Sequence, residues 1–329
     1  MANTITLASG KRFESEPGET VLDAAARAGI TLPYSCRTGR CSTCRCRIVS
    51  GESVALHPEQ GLGERELAAG YALACVRSAT GDLALEAEEL KLGALPPPKI
   101  VPCRIDSVEP LAPDVVRVVL RLPPTASFVF LPGQYVDVIA AGNVRRSYSI
   151  ANAAGPRLEL HIRAVEGGVL SAYWFGAAKT NDLLRLDGPL GTFVLGEVAG
   201  MDLVFLATGT GIAPVKAMLE ALAAMPAPER PASVSVFWGG RTAPDLYWDV
   251  STVDAGQRHV PVLSRAGAEW TGARGHVQDV FLAESPDLAR TLVYACGSEA
   301  MIDAASLALA GAGLPPGRFR ADAFVASDS

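Results

Sequence analysis

Four cysteines constrain the folding of this chain more than any other feature of its sequence. Cys36, Cys41 and Cys44 stand in the stretch CRTGRCSTC at the spacing C-x4-C-x2-C, and Cys75 follows in the segment YALACVRS. Three thiolates from one loop and a fourth from a distant strand are the ligand pattern of a 2Fe-2S cluster. A loop that carries three ligands must curl around a compact inorganic core, and Gly39 gives the backbone that freedom. The sequence therefore predicts a 2Fe-2S cluster on these four thiolates.

Two other interpretations of the cysteines compete with the cluster. Zinc sites usually use paired C-x2-C hooks, and here only one such pair is present, with its third ligand upstream. Cysteines are also common in ordinary cores, where they act as small apolar side chains. The seven cysteines are an odd number, which fits a reducing cytoplasm better than a disulfide framework. We expect a cytoplasmic protein.

Length and composition indicate more than one folded domain. The chain has 329 residues, of which 49% are apolar and 19% charged, and this suits two or three domains with sizeable cores. The longest apolar runs, such as LVFLA at 203–207, are too short for a membrane span, and the first ten residues do not read as a secretion signal. The net charge of −6 argues against nucleic acid as a partner.

Residues 1–93 form the first predicted domain. TITLA and RFESE predict a hairpin joined near Gly10, and Thr20 followed by Asp23 predicts a helix start, with Gly29 ending that helix. The cluster loop, the strand RCRIVSG, a short helix at 64–69 and the strand DLALE follow. A sheet with one packed helix and a ligand loop resembles the β-grasp fold of plant-type ferredoxins.

Arginines are concentrated around the ligand cysteines of this domain. A solvated arginine face is one explanation. The other is a basic collar that raises the reduction potential of the cluster above the roughly −400 mV of plant-type ferredoxins and attracts an acidic partner. The arginines in question are Arg37, Arg40, Arg45, Arg47 and Arg77.

Three consecutive prolines mark a semi-rigid linker, predicted at 94–100, because proline can neither continue a helix nor donate to a sheet. From 101 to 198, short segments with period-two alternation are broken by Pro, Gly and Asn, and this pattern predicts an antiparallel β-barrel. The segments are CRIDSVEP, DVVRVVLRLP, QYVDVIA, RRSYSIAN and LELHIRAV.

Residues 199–329 alternate strands with helices, which predicts a doubly wound parallel sheet. The buried strand DLVFLA leads into the loop TGTGIAP and an alanine-rich helix ending near Met225. A glycine turn between a strand and a helix is where a nucleotide pyrophosphate binds. The loop departs from G-x-G-x-x-G because Pro214 takes the last glycine position.

Taken end to end, the chain resembles the ferredoxin-first reductases of the ferredoxin reductase superfamily, and most closely the CDP-6-deoxy-glucoseen reductase type. The resemblance implies a multidomain chain with a β-grasp 2Fe-2S ferredoxin domain, an antiparallel β-barrel FAD domain and an α/β Rossmann-like nicotinamide domain. The shared runs are LRLPPTA, GQYVDV, RRSYSIAN, GPLGTF, ATGTGIAPVK, VYACGS and ADAFV.

The resemblance also implies the flavin-binding residues. Arg146 would bind the FAD pyrophosphate, Tyr148 would pack on the isoalloxazine, and Ser149 would hydrogen-bond near the flavin N5. Its neighbour Arg145 is expected to be solvated. A second group lies before the predicted helix SAYWF, where backbone N–H groups can hold the pyrophosphate. This group comprises Gly168, Val169 and Ser171.

For the nicotinamide dinucleotide, the resemblance implies that Gly209, Thr210 and Gly211 approach the ligand. Cys296, followed by Gly297, would lie beside the nicotinamide ring. Without the resemblance, Cys296 is an ordinary buried strand cysteine.

The resemblance leaves the choice of nicotinamide open. Ser264 and Arg265 stand where a serine and an arginine can bind the 2′-phosphate of NADP, although Arg265 is equally well a surface loop residue.

The resemblance also assigns roles to residues near the end of the chain. Phe324 would cover the flavin, while Asp322 would handle protons or serve as a structural aspartate. Ser149, Cys296 and Asp322 are the implied catalytic residues.

These parts predict an electron-transfer chain. A nicotinamide gives up a two-electron hydride, a 2Fe-2S cluster accepts one electron, and a flavin can divide the pair. Electrons would then leave singly for a separate enzyme. The resemblance implies a pyridoxamine-phosphate-dependent dehydrase of 3,6-dideoxysugar synthesis or, alternatively, a Rieske or di-iron oxygenase. A binding module with a dead reductase would have lost a motif, and a free flavin reductase would not need the cysteines.

Overall fold

The computed structural model describes residues 2–325, apart from the side chain of residue 141. The first and last predicted domains also contain residues 1 and 326–329, which lie outside the described residues. The chain divides into two compact units. One comprises the chain up to Ala94 together with Gly191–Phe193, and the other comprises Leu95–Leu190 and the chain from Val194 onward. Within residues 2–325, no helix combines the length and the apolar character that crossing a bilayer requires.

The first unit is a mixed sheet with one packed helix. Five strands lie in the order β2-β1-β7-β3-β5, and β4 pairs with β6 in a separate ribbon. The unit contains β1 (Asn3–Leu7), β2 (Arg12–Ser15), α1 (Val21–Arg27), β3 (Arg45–Ser50), β4 (Ser53–Ala55), α2 (Glu64–Ala68), β5 (Tyr71–Leu73), β6 (Arg77–Ala79) and β7 (Leu83–Glu86).

Local signals of the sequence position helix α1. The Thr20 hydroxyl accepts a hydrogen bond from the Asp23 N–H at 3.0 Å, and it donates to the Asp23 carboxylate at 2.7 Å. Gly29 takes a positive φ of 74° directly after the C-cap residue Ala28, a conformation that glycine adopts without strain. The predicted start and end of this helix are both confirmed.

The segment 191–193 belongs to the first unit although it follows strands of the second in sequence. The Thr192 hydroxyl accepts a hydrogen bond from the Tyr34 N–H at 2.8 Å and donates to the Tyr34 carbonyl at 3.0 Å. Tyr34 lies two residues before the first predicted ligand, Cys36. Thr192, which belongs to the GPLGTF motif, therefore stabilises the backbone just before the cysteine loop.

The second unit begins with an antiparallel sheet in the order β11-β10-β13-β8-β9-β12. A bridge joins Ile150, directly after β11, to Leu160 in the middle of β12, so the sheet closes into the expected barrel. Its interior is apolar, with Ile105, Leu120 and Leu158 fully buried. The strands are β8 (Lys99–Ala112), β9 (Val115–Arg121), β10 (Tyr135–Ile139), β11 (Arg145–Ser149), β12 (Arg157–Arg163) and β13 (Leu183–Leu190).

The barrel differs from the sequence expectation in three places. Strand β13 was not predicted, yet it lies between β10 and β8. Strand β8 begins at Lys99, inside the segment predicted as linker. The helix expected at SAYWF begins earlier, at Val169, with α3 (Val169–Ala172) continuing as a π-helix over Tyr173–Ala177. Gly168 is therefore the N-cap residue of that helix.

The remainder of the second unit is a parallel sheet of six strands in the order β17-β16-β15-β14-β18-β19. This order and the flanking helices confirm the doubly wound prediction. The elements are β14 (Asp202–Thr208), α4 (Ile212–Ala224), β15 (Ser233–Gly240), β16 (Gln257–Leu263), β17 (Ala273–Arg274), α5 (Val277–Ala283), β18 (Thr291–Ser298), α6 (Glu299–Gly311) and β19 (Phe319–Phe324).

Candidate functional site

The four predicted cluster ligands form two pairs of thiols. The Sγ atoms of Cys36 and Cys41 are 3.1 Å apart. Cys44 and Cys75 are hydrogen-bonded through their side chains. The bond from Cys41 lowers the pKa of the Cys36 thiol, and the bond from Cys44 lowers that of Cys75, against the opposing effect of burial. The same bonds raise the pKa of the partner thiols Cys41 and Cys44, so each pair contains one thiol that ionises readily and one that does not.

Backbone N–H groups lie close to one of the predicted ligand sulfurs. Those of Thr38 and Cys41 donate to Cys36 Sγ at 3.4 and 3.3 Å, as expected around cluster sulfurs. The donor set, two thiol pairs with N–H groups at Cys36, therefore suits a 2Fe-2S cluster.

The predicted basic collar is largely neutralised. Carboxylates pair with Arg37, Arg45, Arg47 and Arg77, and such pairing reduces the field that each guanidinium projects. Two guanidinium groups also lie over aromatic rings. The effect of the collar on the reduction potential stays a prediction. Because of these ion pairs, we expect a smaller effect than the number of arginines alone suggests. The pairs are Arg37–Asp23, Arg45–Glu66, Arg47–Glu86 and Arg77–Glu59.

The predicted flavin residues lie on β11, an edge strand of the barrel sheet. Tyr148 accepts a hydrogen bond from the indole N–H of Trp174 at 3.2 Å, and burial raises the pKa of Tyr148 to about 12. Ser149 is buried at the end of the strand, opposite Tyr135. Arg145 is exposed, as expected of a solvated residue, and forms a surface ion pair with Asp187 at 2.7 Å.

The contact between Tyr148 and Trp174 brings the helical segment 169–177 to the RSYS strand. Their ring centroids are 6.3 Å apart in an edge-to-face arrangement. The Ser171 hydroxyl accepts the N–H of Val165 at 2.8 Å and so stabilises the turn before the helix. A Cβ on Gly168 would lie 3.1 Å from the Val165 carbonyl, which explains the need for a small residue here. A phenol, a hydroxyl and a helix start are thus assembled where the resemblance places FAD.

A cavity of about 660 Å³ opens at the carboxyl ends of the parallel strands, which is the usual place for a nucleotide in such sheets. It has room for a dinucleotide or much of one. Among the predicted residues, Gly209, Thr210, Ser264 and Phe324 line it. Further residues that the sequence interpretation missed also line it, among them Arg163, Thr208, Arg241, Asp245, His276 and Gln278.

Two of the missed residues carry unsatisfied polar atoms. In the part of the chain that the structure describes, the buried side-chain atoms without a hydrogen-bond partner are Nε and Nη2 of Arg163 and Oε1 of Gln278. Such atoms are rare in folded proteins and normally indicate a ligand or water. Guanidinium N–H groups suit phosphate oxygens, while an amide oxygen suits a donor such as a ribose hydroxyl.

Arg163 lies directly over the glycine loop. A Cβ on Gly209 would be 3.6 Å from the guanidinium carbon of Arg163. Its Nη1 is 3.4 Å from Asp245 and 3.5 Å from Asp114. The loop precedes helix α4, whose N-terminus favours an anion. The cation and the helix start together suit a pyrophosphate.

Two predicted glycines serve close packing. A Cβ on Gly211 would lie 2.1 Å from the Cys296 carbonyl oxygen, and a Cβ on Gly297 would lie 2.1 Å from the Thr208 hydroxyl. Neither glycine lines the cavity, and neither does the exposed Arg265. These two glycines let the loop and the end of β18 approach each other.

Cys296 and Asp322 are paired across β18 and β19. Cys296 is fully buried, and its Sγ lies 3.9 Å from the Asp322 carboxylate, which is 4% exposed. Burial, followed by the neighbouring carboxylate, raises the pKa of the Cys296 thiol. Phe324 lies two residues beyond Asp322, opposite Ser298, and is 37% exposed. Phe324 therefore lines the cavity, whereas the buried Cys296 thiol does not.

Three family models match successive parts of the chain. The model of the 2Fe-2S iron-sulfur cluster binding domain matches residues 5–80. The oxidoreductase FAD-binding domain matches residues 102–195, and the oxidoreductase NAD-binding domain matches residues 205–306.

Relatives match the chain over nearly its whole length. The CDP-6-deoxy-L-threo-D-glycero-4-hexulose-3-dehydrase reductase of Yersinia pestis is 41% identical over 325 residues, covering 97% of both chains. The reductase component of the naphthalene 1,2-dioxygenase/salicylate 5-hydroxylase systems of a Ralstonia species is 32% identical, covering 96% of both. The crystal structure of the Amycolatopsis cytochrome P450 reductase GcoB superposes with a TM-score of 0.76 at 32% identity, covering 98% of both.

Fold and site together define an NAD(P)H-dependent iron-sulfur flavoprotein oxidoreductase. The chain belongs to the family of reductases that join a 2Fe-2S ferredoxin domain, an FAD domain and an NAD domain in one polypeptide. It passes electrons from NAD(P)H through FAD to a 2Fe-2S cluster.

Proposed function

We propose that this reductase delivers single electrons to a pyridoxamine-phosphate-dependent dehydrase that acts on a CDP-6-deoxy-4-hexulose in 3,6-dideoxysugar synthesis. One observation carries the proposal: the 41% identity to a reductase named for such a dehydrase extends over 97% of both chains. The oxygenase reductase component from Ralstonia reaches 32% over a similar span. Because a partner is recognised by surface, higher identity over the whole chain favours the dehydrase.

The same proposal assigns the cofactor residues. FAD is held by the RSYS strand and the start of α3, and the dinucleotide occupies the cavity beside the glycine loop. Arg163 and Gln278 join the proposed dinucleotide contacts because their buried polar atoms lack partners among the described residues. The cluster ligands are Cys36, Cys41, Cys44 and Cys75, and the flavin contacts are Arg146, Tyr148, Ser149, Gly168, Val169 and Ser171.

When bound, FAD and the cluster supply the conversion of a two-electron hydride into single electrons. The residues of the chain bind and orient the cofactors and exclude water from them. Arg163 and the α4 N-terminus would hold the pyrophosphate, while Phe324 forms part of the cavity wall. Asp322 is buried against Cys296 and fixes the thiol orientation.

A Rieske or di-iron oxygenase is the second candidate acceptor. It is favoured by the whole-length match to the Ralstonia component and by a relative named the xylene/toluene monooxygenase electron transfer component, from Pseudomonas putida, at 34% identity. We also propose that the protein works in the cytoplasm, since none of the seven cysteines, all of them among the described residues, is in a disulfide, as a reducing compartment maintains.

Reconstitution with purified acceptors tests the proposal. The holoprotein and NADH or NADPH are mixed anaerobically with the dehydrase and its CDP-sugar substrate, and the reduced sugar product is measured. We expect product only when all components are present, and little stimulation of an aromatic-ring oxygenase under matched aerobic conditions. Efficient turnover of the oxygenase with no dehydrase product would overturn the assignment. Running both nicotinamides also decides the question that Ser264 and Arg265 leave open.

A further inference from the structure

A short segment with no recognised motif contacts both halves of the cluster site. The Pro58 carbonyl oxygen lies 2.5 Å from the position that a Cβ on Gly39 would take, and Gly39 belongs to the three-cysteine loop. The Gly61 N–H donates to the Gly39 carbonyl at 2.9 Å. Between these two residues, Glu59 reaches toward the fourth cysteine. Residues 58–61 therefore connect the loop of three ligands to the turn that carries Cys75.

The carboxylate of Glu59 holds the chain on both sides of Cys75. Its Oε1 accepts the N–H of Leu73 at 2.7 Å, two residues before the cysteine. Its Oε2 accepts Nε of Arg77 at 3.0 Å, two residues after the cysteine. The Glu59 side chain thus bridges the two ends of the five-residue turn, Leu73 and Arg77, that carries the ligand Cys75.

The placement of Glu59 is unusual for its surroundings. Its neighbours Pro58 and Gln60 are exposed, yet the side chain of Glu59 is only 5% exposed. Buried carboxylates are uncommon unless paired and hydrogen-bonded, and this one is both. Leu73 is fully buried, and its N–H takes the Glu59 carboxylate as acceptor. Loss of Glu59 would leave this buried N–H without its acceptor and Arg77 with only its longer contacts to Ser53, at 3.4 Å.

We propose that Glu59 is a positioning residue for the iron-sulfur cluster: through Leu73 and Arg77 it fixes Cys75 opposite the loop that carries the other three ligands. It acts through the Leu73 backbone and the Arg77 side chain and not as a ligand. The proposal rests on the 2Fe-2S cluster and its four ligands, and not on the identity of the electron acceptor.

The test compares three variants of the full-length holoprotein. Glu59→Ala removes the acceptor, and Glu59→Gln keeps an oxygen for Leu73 but loses the charge that faces Arg77. Glu52→Gln, at an exposed position of the same unit, is the control for the loss of one negative charge. The measurements are the decay of the cluster absorbance in excess chelator and the electron paramagnetic resonance spectrum of the reduced protein. FAD content reports on the rest of the molecule.

We expect the Glu59→Ala cluster to decay at least about tenfold faster than in the control, with altered g values and unchanged FAD content. Glu59→Gln should fall between the two. Identical decay and identical spectra in all three variants would overturn the proposal. If Glu59→Ala cannot be purified, Glu59→Gln decides by the same two measurements. A wild-type protein that holds no cluster would overturn the ligand assignment together with this proposal, so the two failures are distinguishable.

Discussion

Replacing Arg163 with methionine should weaken dinucleotide binding strongly. The change keeps most of the length of the side chain and removes the guanidinium group. In the structure, Nε and Nη2 are buried without a partner, so both are available to phosphate oxygens. A hydrogen bond to a charged group contributes about 1.5–3 kcal/mol. Because two bonds from one group are not additive, we take a total loss of about 2–3 kcal/mol, which corresponds to a rise in Kd of about 30- to 150-fold.

The neighbouring carboxylates act in the same direction. Asp245 and Asp114 lie 3.4 and 3.5 Å from Nη1, and removal of the guanidinium leaves their negative charge facing the pyrophosphate. The control is Arg157→Met on the same strand, since Arg157 is 61% exposed and pairs with Asp106 away from the cavity. It removes the same group and the same charge.

Anaerobic stopped-flow reduction of the flavin over a range of NADH or NADPH concentrations separates the two quantities of interest. The concentration dependence gives the apparent Kd, and the plateau gives the limiting rate. We expect the Arg163→Met substitution to raise Kd within the stated range and to change the limiting rate much less. A Kd within about threefold of the Arg157→Met control would refute the assignment of Arg163 to the pyrophosphate.

Three further predictions address the cluster, the glycine loop and the barrel. Cys75→Ser should abolish the visible and paramagnetic signals of the cluster, while NAD(P)H still reduces FAD at a rate within about twofold of wild type. Gly211→Ala places a Cβ against the Cys296 backbone, so we expect about 1–3 kcal/mol of destabilisation, read as a lower thermal midpoint. Gly176→Ala, where a Cβ meets no atom within 4 Å, should leave that midpoint nearly unchanged. Burial would raise the pKa of Glu159, but hydrogen bonds and charges around it outweigh this effect and hold it at about 2. Its stabilisation, about 3 kcal/mol, is therefore present above pH 4.5 and is lost as the pH falls toward 2; thermal melts of Glu159→Gln should show a weaker loss over that window.

Much of the fold could be predicted because the motifs expected to bind the cofactors consist of residues that are close together in the sequence. Three cysteines of one loop, the RSYS strand and the TGTGIAP turn each place several functional groups within a few positions. Helix α1 was predictable for the same reason, since Thr20, Asp23 and Gly29 act on their own neighbourhood.

Strand β13 could not be predicted from its own residues. The segment LLRLDGPL contains a glycine and a proline, which favour turns and edge positions. The structure accommodates them because Gly188 is the last residue of β13 that pairs with β8, and Pro189 follows beyond it. Neighbouring strands on both sides, which the local sequence does not encode, make this segment a central strand.

One physical reason explains why the sequence interpretation missed Arg163 and Gln278 as candidate site residues. Arg163 ends an ordinary-looking strand, LELHIRAV, and Gln278 is the second residue of the short helix α5. Only the covering of these side chains by distant parts of the chain makes their unpaired atoms informative. Gly211 and Gly297 show the converse: a motif predicted ligand contacts, whereas the structure shows that these glycines permit two backbones to touch.

The outer face of β12 connects the barrel with the glycine loop. His161 is 1% exposed at its side chain, with Nε2 at 2.9 Å from Glu159 and Nδ1 at 3.2 Å from the Tyr247 hydroxyl. Burial lowers the pKa of His161, which favours the neutral ring. Because the Glu159 carboxylate can only accept, Nε2 carries the hydrogen and Nδ1 accepts from Tyr247.

From Tyr247 the contacts continue into the nucleotide site. Its ring meets Trp238 edge-to-face at 5.3 Å, and the Trp238 indole N–H donates to the Gly209 carbonyl at 3.0 Å. The strand that presents Arg163 to the cavity is thereby tied to the loop over which Arg163 lies. This series of contacts links the barrel to the glycine loop, so the proposed dinucleotide site is preorganised.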